Sequence, residues 1–167
     1  MNTKEQIIEV LSLKPHPEGG YFKETYRSSG KIKTDSLHPS YSSDRNYSTC
    51  IYFLLTSENF SAFHKIKQDE IWHFYYGAPI RLHMISPEGD LTTHSIGTDF
   101  SNNETPQLIV PGGYWFAAEV IKTNAFALVG CTVAPGFSFE DFELISEKEL
   151  STLFPEHNTV ISKFTNH

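Results

Sequence analysis

Apolar and polar positions alternate along most of this chain, and only the two ends break the rhythm. Residues 21–27, 48–55, 60–66, 70–75, 80–85, 91–96, 107–110, 114–119 and 125–133 are short runs, rich in β-branched and aromatic residues, with the two-residue period of half-buried strands. Turn chemistry separates them: Pro17-Glu-Gly-Gly20, Gly77-Ala-Pro79, Pro87-Glu-Gly-Asp90, Pro111-Gly-Gly113 and Pro135-Gly136. At the amino end, Thr3-Lys-Glu-Gln6 is a capping-box pattern ahead of Ile7, Ile8, Val10 and Leu11, which share one helical face. Ser146-Glu-Lys-Glu149 repeats it before Leu150, Leu153 and Phe154, and Pro155 closes that helix. Short strands at this spacing predict an all-β sandwich or barrel with short N- and C-terminal helices, not βαβ units. Residues 28–46, rich in Ser, Asp, Lys and Tyr, form the one long irregular segment, expected as a lid or a hairpin excursion at a subunit contact. The 167 residues predict a single domain, 1–167, large enough to bury about 70% of its unfolded surface.

Alternation also assigns faces. Glu70, Trp72 and Phe74 fall on one side of their strand, with Ile80, Leu82 and Met84 as the matching set on the next. The apolar side must face the interior, and it carries Glu70 inward; His64 and Ile66 share a face on the preceding strand. His73 then points outward, unless a bulge shifts the register. A carboxylate buried beside Trp72 and Phe74 needs a partner, and His64 is the nearest candidate. Such a pair would shift both titrations, the property wanted of a general base or a metal ligand.

Composition narrows the partners. Thirteen Phe, 8 Tyr and 2 Trp make up 14% of the chain, which suits strands and pocket walls. A formal charge of −7 offers no footprint for a phosphate backbone, so nucleic acid is not an expected partner. No apolar stretch approaches the ~20 residues that span a bilayer, and MNTKEQIIEVL is not a secretory h-region. Cys50 and Cys131 lie in apolar runs without Cys-x-x-Cys spacing, and they read as reduced thiols of a cytoplasmic protein.

At His64, Glu70 and Gly77 the chain resembles the first cupin motif, Gly-x5-His-x-His-x3-Glu-x6-Gly, with Ile66 in place of its second His and Glu58 in place of its leading Gly. Pro111 and Gly113 match the second motif, Gly-x5-Pro-x-Gly-x2-His-x3-Asn, where Phe116 replaces His and Val120 replaces Asn. Two of the four metal-ligand positions are therefore kept. HPEGGYF at 16–22, ETYRS at 24–28, DEIWHFYYG at 69–77 and GCTVAPGFSFEDFEL at 130–144 together resemble cupin family 5, a group largely of unknown function. The resemblance implies a cupin double-stranded β-helix, or jelly-roll barrel, that pairs into a homodimer and holds a small-molecule ligand.

Three readings follow. Some similar cupins epimerise keto-sugar nucleotides with a His base held by a carboxylate and a Tyr acid. By that resemblance His64 is the base, Glu70 or Glu119 its orienter, and Tyr76 or Tyr114 the acid acting on a sugar-like molecule, with no cofactor. Tyr21, Tyr26 and Arg27 are expected to border the pocket, with Trp72, Phe74 and Trp115 as its walls. A metal-dependent dioxygenase or isomerase is the second reading; it needs a divalent metal on His64, Glu70 and His73, and the predicted outward face of His73 counts against it. The third is a non-catalytic module that binds a metabolite with apolar walls and a few polar anchors.

Overall fold

All nine predicted strands form, and no end lies more than two residues from expectation. The computed structural model describes residues 3–166. After helix α1 (Lys4–Leu11) come β1 (Lys14–Pro15), β2 (Tyr21–Arg27), β3 (Lys31–Ile32), β4 (Arg45–Asn46), β5 (Thr49–Thr56) and β6 (Phe60–Lys65). They are followed by β7 (Asp69–Gly77), β8 (Ile80–Ile85), β9 (Leu91–Ile96), β10 (Gln107–Val110), β11 (Trp115–Val120), β12 (Phe126–Ala134) and β13 (Glu143–Leu144). Helices α2 (Glu147–Leu153) and α3 (Asn158–Lys163) close the chain. Both capping boxes are made, at Thr3 with Gln6 and at Ser146 with Glu149. Beyond Pro155 the chain resumes as α3, which the sequence pattern did not announce. The segment 28–46 contains the small β3–β4 ladder.

Two sheets face each other. The larger has the order β1-β2-β5-β12-β7-β10, the smaller β13-β6-β11-β8-β9. From β10 onward each strand lies in the other sheet from the one before it, so the chain wraps the core as a jelly-roll barrel. Pro87-Glu-Gly-Asp90 makes the predicted hairpin between β8 and β9, and Gly89 takes the positive φ that its turn requires.

Inward residues of both sheets meet in one core, where Phe53, Leu55, Trp72, Leu82, Phe116 and Val129 are almost wholly buried. Each large side chain so buried stabilises the fold by about 1.5–3 kcal/mol. The outer face of the smaller sheet is apolar too: Phe63, Ile85 and Trp115 pack against Leu150, Ile161 and Phe164 of the C-terminal segment. Helix α1 covers part of the larger sheet, where Ile7 and Leu13 meet Leu54 and Tyr21.

Candidate functional site

The site begins with a turn. In His16-Pro-Glu-Gly-Gly20, the Gly19 amide donates to the His16 carbonyl and the His16 amide to that of Gly20, both at 3.0 Å. Gly19 and Gly20 have φ of 109° and 73°, and a Cβ on Gly19 would collide with the carbonyl oxygen of Phe60. Only glycine allows this close approach. It lays Glu18 on β6, where its carbonyl accepts from the Ala62 amide at 2.7 Å.

Strand β6 is bulged at the same place. Phe116 pairs with His64, but Ala118 pairs with Ser61, so β6 carries one residue more than β11 there. The bulge lets Ser61 and His64, three positions apart, converge on one carboxylate. Ser61 Oγ donates to Glu18 Oε1 at 2.7 Å, and His64 Nε2 lies 2.9 Å from Glu18 Oε2. The other ring nitrogen, Nδ1, is 2.7 Å from the Ala62 carbonyl, which can only accept. Both nitrogens of His64 therefore donate, and the ring is an imidazolium. Burial pushes the His64 pKa down, but the Glu18 carboxylate outweighs burial and holds it above the usual imidazole value. Burial likewise pushes Glu18 up, but His64, by its charge and its hydrogen bond, together with the Ser61 hydroxyl, holds it below the usual carboxylate value. The two shifts agree on a buried ion pair.

His64, Glu18, His16, Glu70, Cys131 and Phe142 are among the residues around a cavity of about 40 Å³, counted as room for the centres of water-sized molecules. One water needs roughly 10–15 Å³ by that measure, so the cavity takes about three waters or the end of a small ligand. His16 is neutral: its Nδ1 accepts from the Glu18 amide at 3.2 Å, and burial among Phe22, Phe53 and Phe142 pushes its pKa down. Glu70 has the opposite problem from Glu18. Burial first, and the Glu18 charge second, push it up to about 7; His64 opposes them more weakly, as do the Cys131 thiol and the Trp72 indole. The Trp72 indole N–H makes no regular hydrogen bond. Burial, then Glu70 and Glu18, raise the Cys131 thiol well above its ordinary value.

The structure thus brings His64 and Glu70 to one cavity, as expected, but gives His64 a different partner. Glu18 takes the position assigned to Glu70, because the turn at 16–20 reaches β6 directly. His64 as a free base is corrected as well, since neither ring nitrogen keeps a lone pair for a ligand. His73 stays outside, bonded to Thr132 Oγ1 at 3.1 Å and Gln107 at 3.2 Å. The β7–β12 bulge falls at Tyr75, beyond His73, and cannot turn it inward. Tyr76 is 41% exposed beside Phe126, Tyr26 is 55% exposed, and Tyr21 packs under α1. Arg27 pairs with Glu24 and lies off the cavity lining. Trp72, Phe74 and Tyr114 pack with the inner core, also off the lining. Trp115 and Glu119 sit on the outer side of β11, Trp115 under the C-terminal helices and Glu119 against Lys163 and Arg81. Sequence reasoning missed Glu18 and His16; their signal was an acid and an imidazole flanking the glycine pair of a family-specific segment.

The ligand set that the cupin resemblance implies does not fit a metal ion here. Ile66 and Phe116 bring hydrocarbon to two of its positions, and the Phe116 ring lies 4.1 Å from that of His64. Among the described residues, no group of three or more His, Cys, Asp or Glu side chains is placed to hold one.

Comparison with known proteins agrees with this architecture. The chain is 34% identical to the uncharacterized protein YML079W of Saccharomyces cerevisiae, over 89% of this chain and 79% of that one. A crystal structure of protein SO0799 from Shewanella oneidensis superposes with a TM-score of 0.89 at 39% identity, covering 99% of both chains. A hypothetical protein from Leishmania major gives 0.89 at 34% identity, covering 99% of this chain and 100% of that one. Oxalate decarboxylase of Bacillus subtilis shares the fold alone: TM-score 0.54, 16% identity, 90% of this chain and 36% of that one. The family model described as Cupin superfamily (DUF985) matches residues 5–145, and the chain belongs to that family, Cupin_5.

Proposed function

We propose that the cavity binds the reactive end of a small polar, sugar-like molecule and that Glu70 exchanges a proton with it, a step of the isomerase or epimerase class that needs no metal. The observation that carries this reading is Glu70: a buried carboxylate on the cavity wall, pushed up to about 7, beside an acid of the same type that is locked in an ion pair. Environments that drive paired groups apart in pKa are how acid and base roles are divided near neutral pH. Ionised Glu70 takes a proton from a carbon next to a carbonyl, and the electron pair of that C–H bond moves to the carbonyl oxygen as an enolate. His16, whose single ring proton is on Nε2, supplies a donor at the same cavity. The enolate oxygen takes the Nε2 proton of His16, the hydroxyl on the deprotonated carbon gives its own proton back to that nitrogen as it becomes the new carbonyl, and Glu70 delivers its proton to the former carbonyl carbon, which completes the isomerisation. His64 and Glu18 act as a fixed base plate that orients the site.

The test is solvent-deuterium uptake by dihydroxyacetone and aminoacetone, followed by NMR with wild type and Glu70→Gln. Uptake that falls about 10²–10⁴-fold in the variant is the expected result, the usual weight of general acid–base catalysis. Tight binding without uptake would overturn catalysis in favour of a non-catalytic metabolite-binding module.

A further inference from the structure

Among the described residues three carboxylates are buried: Glu18, Glu70 and Asp141. Glu18 has His64 at 2.9 Å, and Asp141 has Arg45 at 2.7 Å and Lys67 at 3.3 Å. Among the described residues Glu70 has no cation within ion-pair distance, although burial pushes it up to about 7. No described Lys or Arg lines its cavity. The only positive charge on that lining, on His64, is cancelled by Glu18, and His16 is neutral. A carboxylate or phosphate entering the cavity would meet no unspent cation and would face Glu70 directly.

Phe22, Phe53, Phe137 and Phe142 add no charge to the lining, so they offer an entering anion no counter-charge, while a small cation can lie against an aromatic ring. We infer that the polar end of the natural ligand is a small cation, an ammonium or amidinium group, which supplies Glu70 with the counter-charge the protein withholds. The inference deepens the proposed function and rests on its reading of this cavity as the ligand site. It also narrows the substrate class to amino-substituted carbonyl compounds and excludes acids and nucleotide sugars. One carboxylate oxygen of Glu70 holds the N–H group, and the other is left for the adjacent C–H.

Binding should then depend on pH through the groups that face Glu70: Glu18 from the 16–20 turn, His64 from β6, Cys131 from β12, and His16 across the cavity. Of these, Glu18 and His64 form a closed pair, while Cys131 and His16 carry no charge near neutrality. The charge that changes is that of Glu70.

The experiment is an NMR titration of the full chain with methylammonium, formamide and acetate at pH 6 and pH 8, read at the Trp72 indole N–H and the backbone amides of Glu70 and Cys131. Methylammonium should bind about tenfold tighter than acetate at pH 8, the weight of a charge-assisted hydrogen bond, and tighter at pH 8 than at pH 6. Glu70→Gln should abolish that preference, and Phe142→Leu should weaken methylammonium by a few-fold while leaving its pH dependence intact. Acetate or formamide binding as tightly as methylammonium, or a preference that survives Glu70→Gln, would overturn the inference. Deuterium uptake without methylammonium binding would sink this inference and leave the proton-transfer reading standing. Methylammonium binding without uptake by any probe would do the reverse.

Discussion

Asp141 and Glu70 are both withdrawn from water, and they lie close enough that Gln68, two positions before Glu70, donates to Asp141 at 2.8 Å. Their surroundings are opposite. Asp141 takes two hydrogen bonds from the Arg45 guanidinium, at 2.7 and 2.8 Å, as well as that of Gln68 and the charge of Lys67. Burial pushes its pKa up, yet those partners hold it below the usual carboxylate range. Glu70 has no ion-pair partner: burial and the Glu18 charge outweigh His64, the Cys131 thiol and the Trp72 indole, and its pKa goes up to about 7. The difference separates two uses of a buried acid. The paired one fixes the chain, here the loop that brings Phe137 and Phe142 to the cavity. The unpaired one keeps a charge that folding alone does not pair, and it lies on the wall of the cavity.

Breaking the paired acid should have the largest effect. Arg45→Ala leaves Asp141 buried with Gln68 and Lys67 but without its bidentate partner, and should destabilise the fold by about 4 kcal/mol in urea denaturation. The aromatic wall made by Phe137 and Phe142 should loosen with it, so affinity for any cavity ligand should fall in parallel. A variant that unfolds at the wild-type urea concentration would show that the loop is held by its phenylalanine contacts instead.

Relieving the unpaired acid should act in the other direction. The folded pKa of Glu70 is raised from 4.5 to about 7, so the unfolded chain releases this proton first as pH rises. Stability from this group is complete below pH 4.5 and is lost as pH climbs through 7, by about 3 kcal/mol. Glu70→Gln removes that loss. Above pH 7 it should be more stable than wild type by about that amount, and near pH 4.5 the two should converge. The Glu18–His64 pair has the opposite sign at its acid end: with Glu18 held low, its contribution is present above pH 4.5 and is lost as pH falls through the folded value. Urea midpoints of wild type and Glu70→Gln across this range separate the two contributions. A flat difference between them would remove the unpaired charge from Glu70.

These contrasts also mark what was legible in the sequence. Strands, caps and the hairpin at 87–90 are local patterns and were readable as such. Glu70 was readable because it follows the two-residue period of β7, whose opposite face is polar enough to show the alternation. Trp115 was not, because β11 is apolar on both sides: Phe116, Ala118 and Val120 face the core, while Trp115 and Ala117 meet the C-terminal helices. A strand covered on both faces carries no alternation to read. Glu18 lies in a turn, where no period applies. Its direction is set by two positive-φ glycines and a bulge in β6, some 40 positions away, and no local rule joins them. The missing step was therefore tertiary: knowing which turn lies on which strand.

The mildest test concerns Arg27, which the sequence placed at the pocket border. Its guanidinium clasps Glu24 at 2.7 and 2.9 Å and reaches Asn46 Oδ1 and the Phe137 carbonyl at 3.0 Å each. Both side chains of the pair are more than a third exposed, so water screens their attraction, and holding two long side chains still offsets much of what remains. Arg27→Ala should therefore cost about 1 kcal/mol or less in stability. Unlike Arg45, Arg27 leaves no buried charge behind when it is removed; its one link to the cavity wall is the hydrogen bond to Phe137. Affinity for methylammonium should change by less than about twofold. If instead Arg27→Ala weakens binding as much as Glu70→Gln does, the groove formed by Glu24, Asn46 and Phe137 belongs to the ligand site, and the contrast between paired and unpaired acids extends to the surface pair as well.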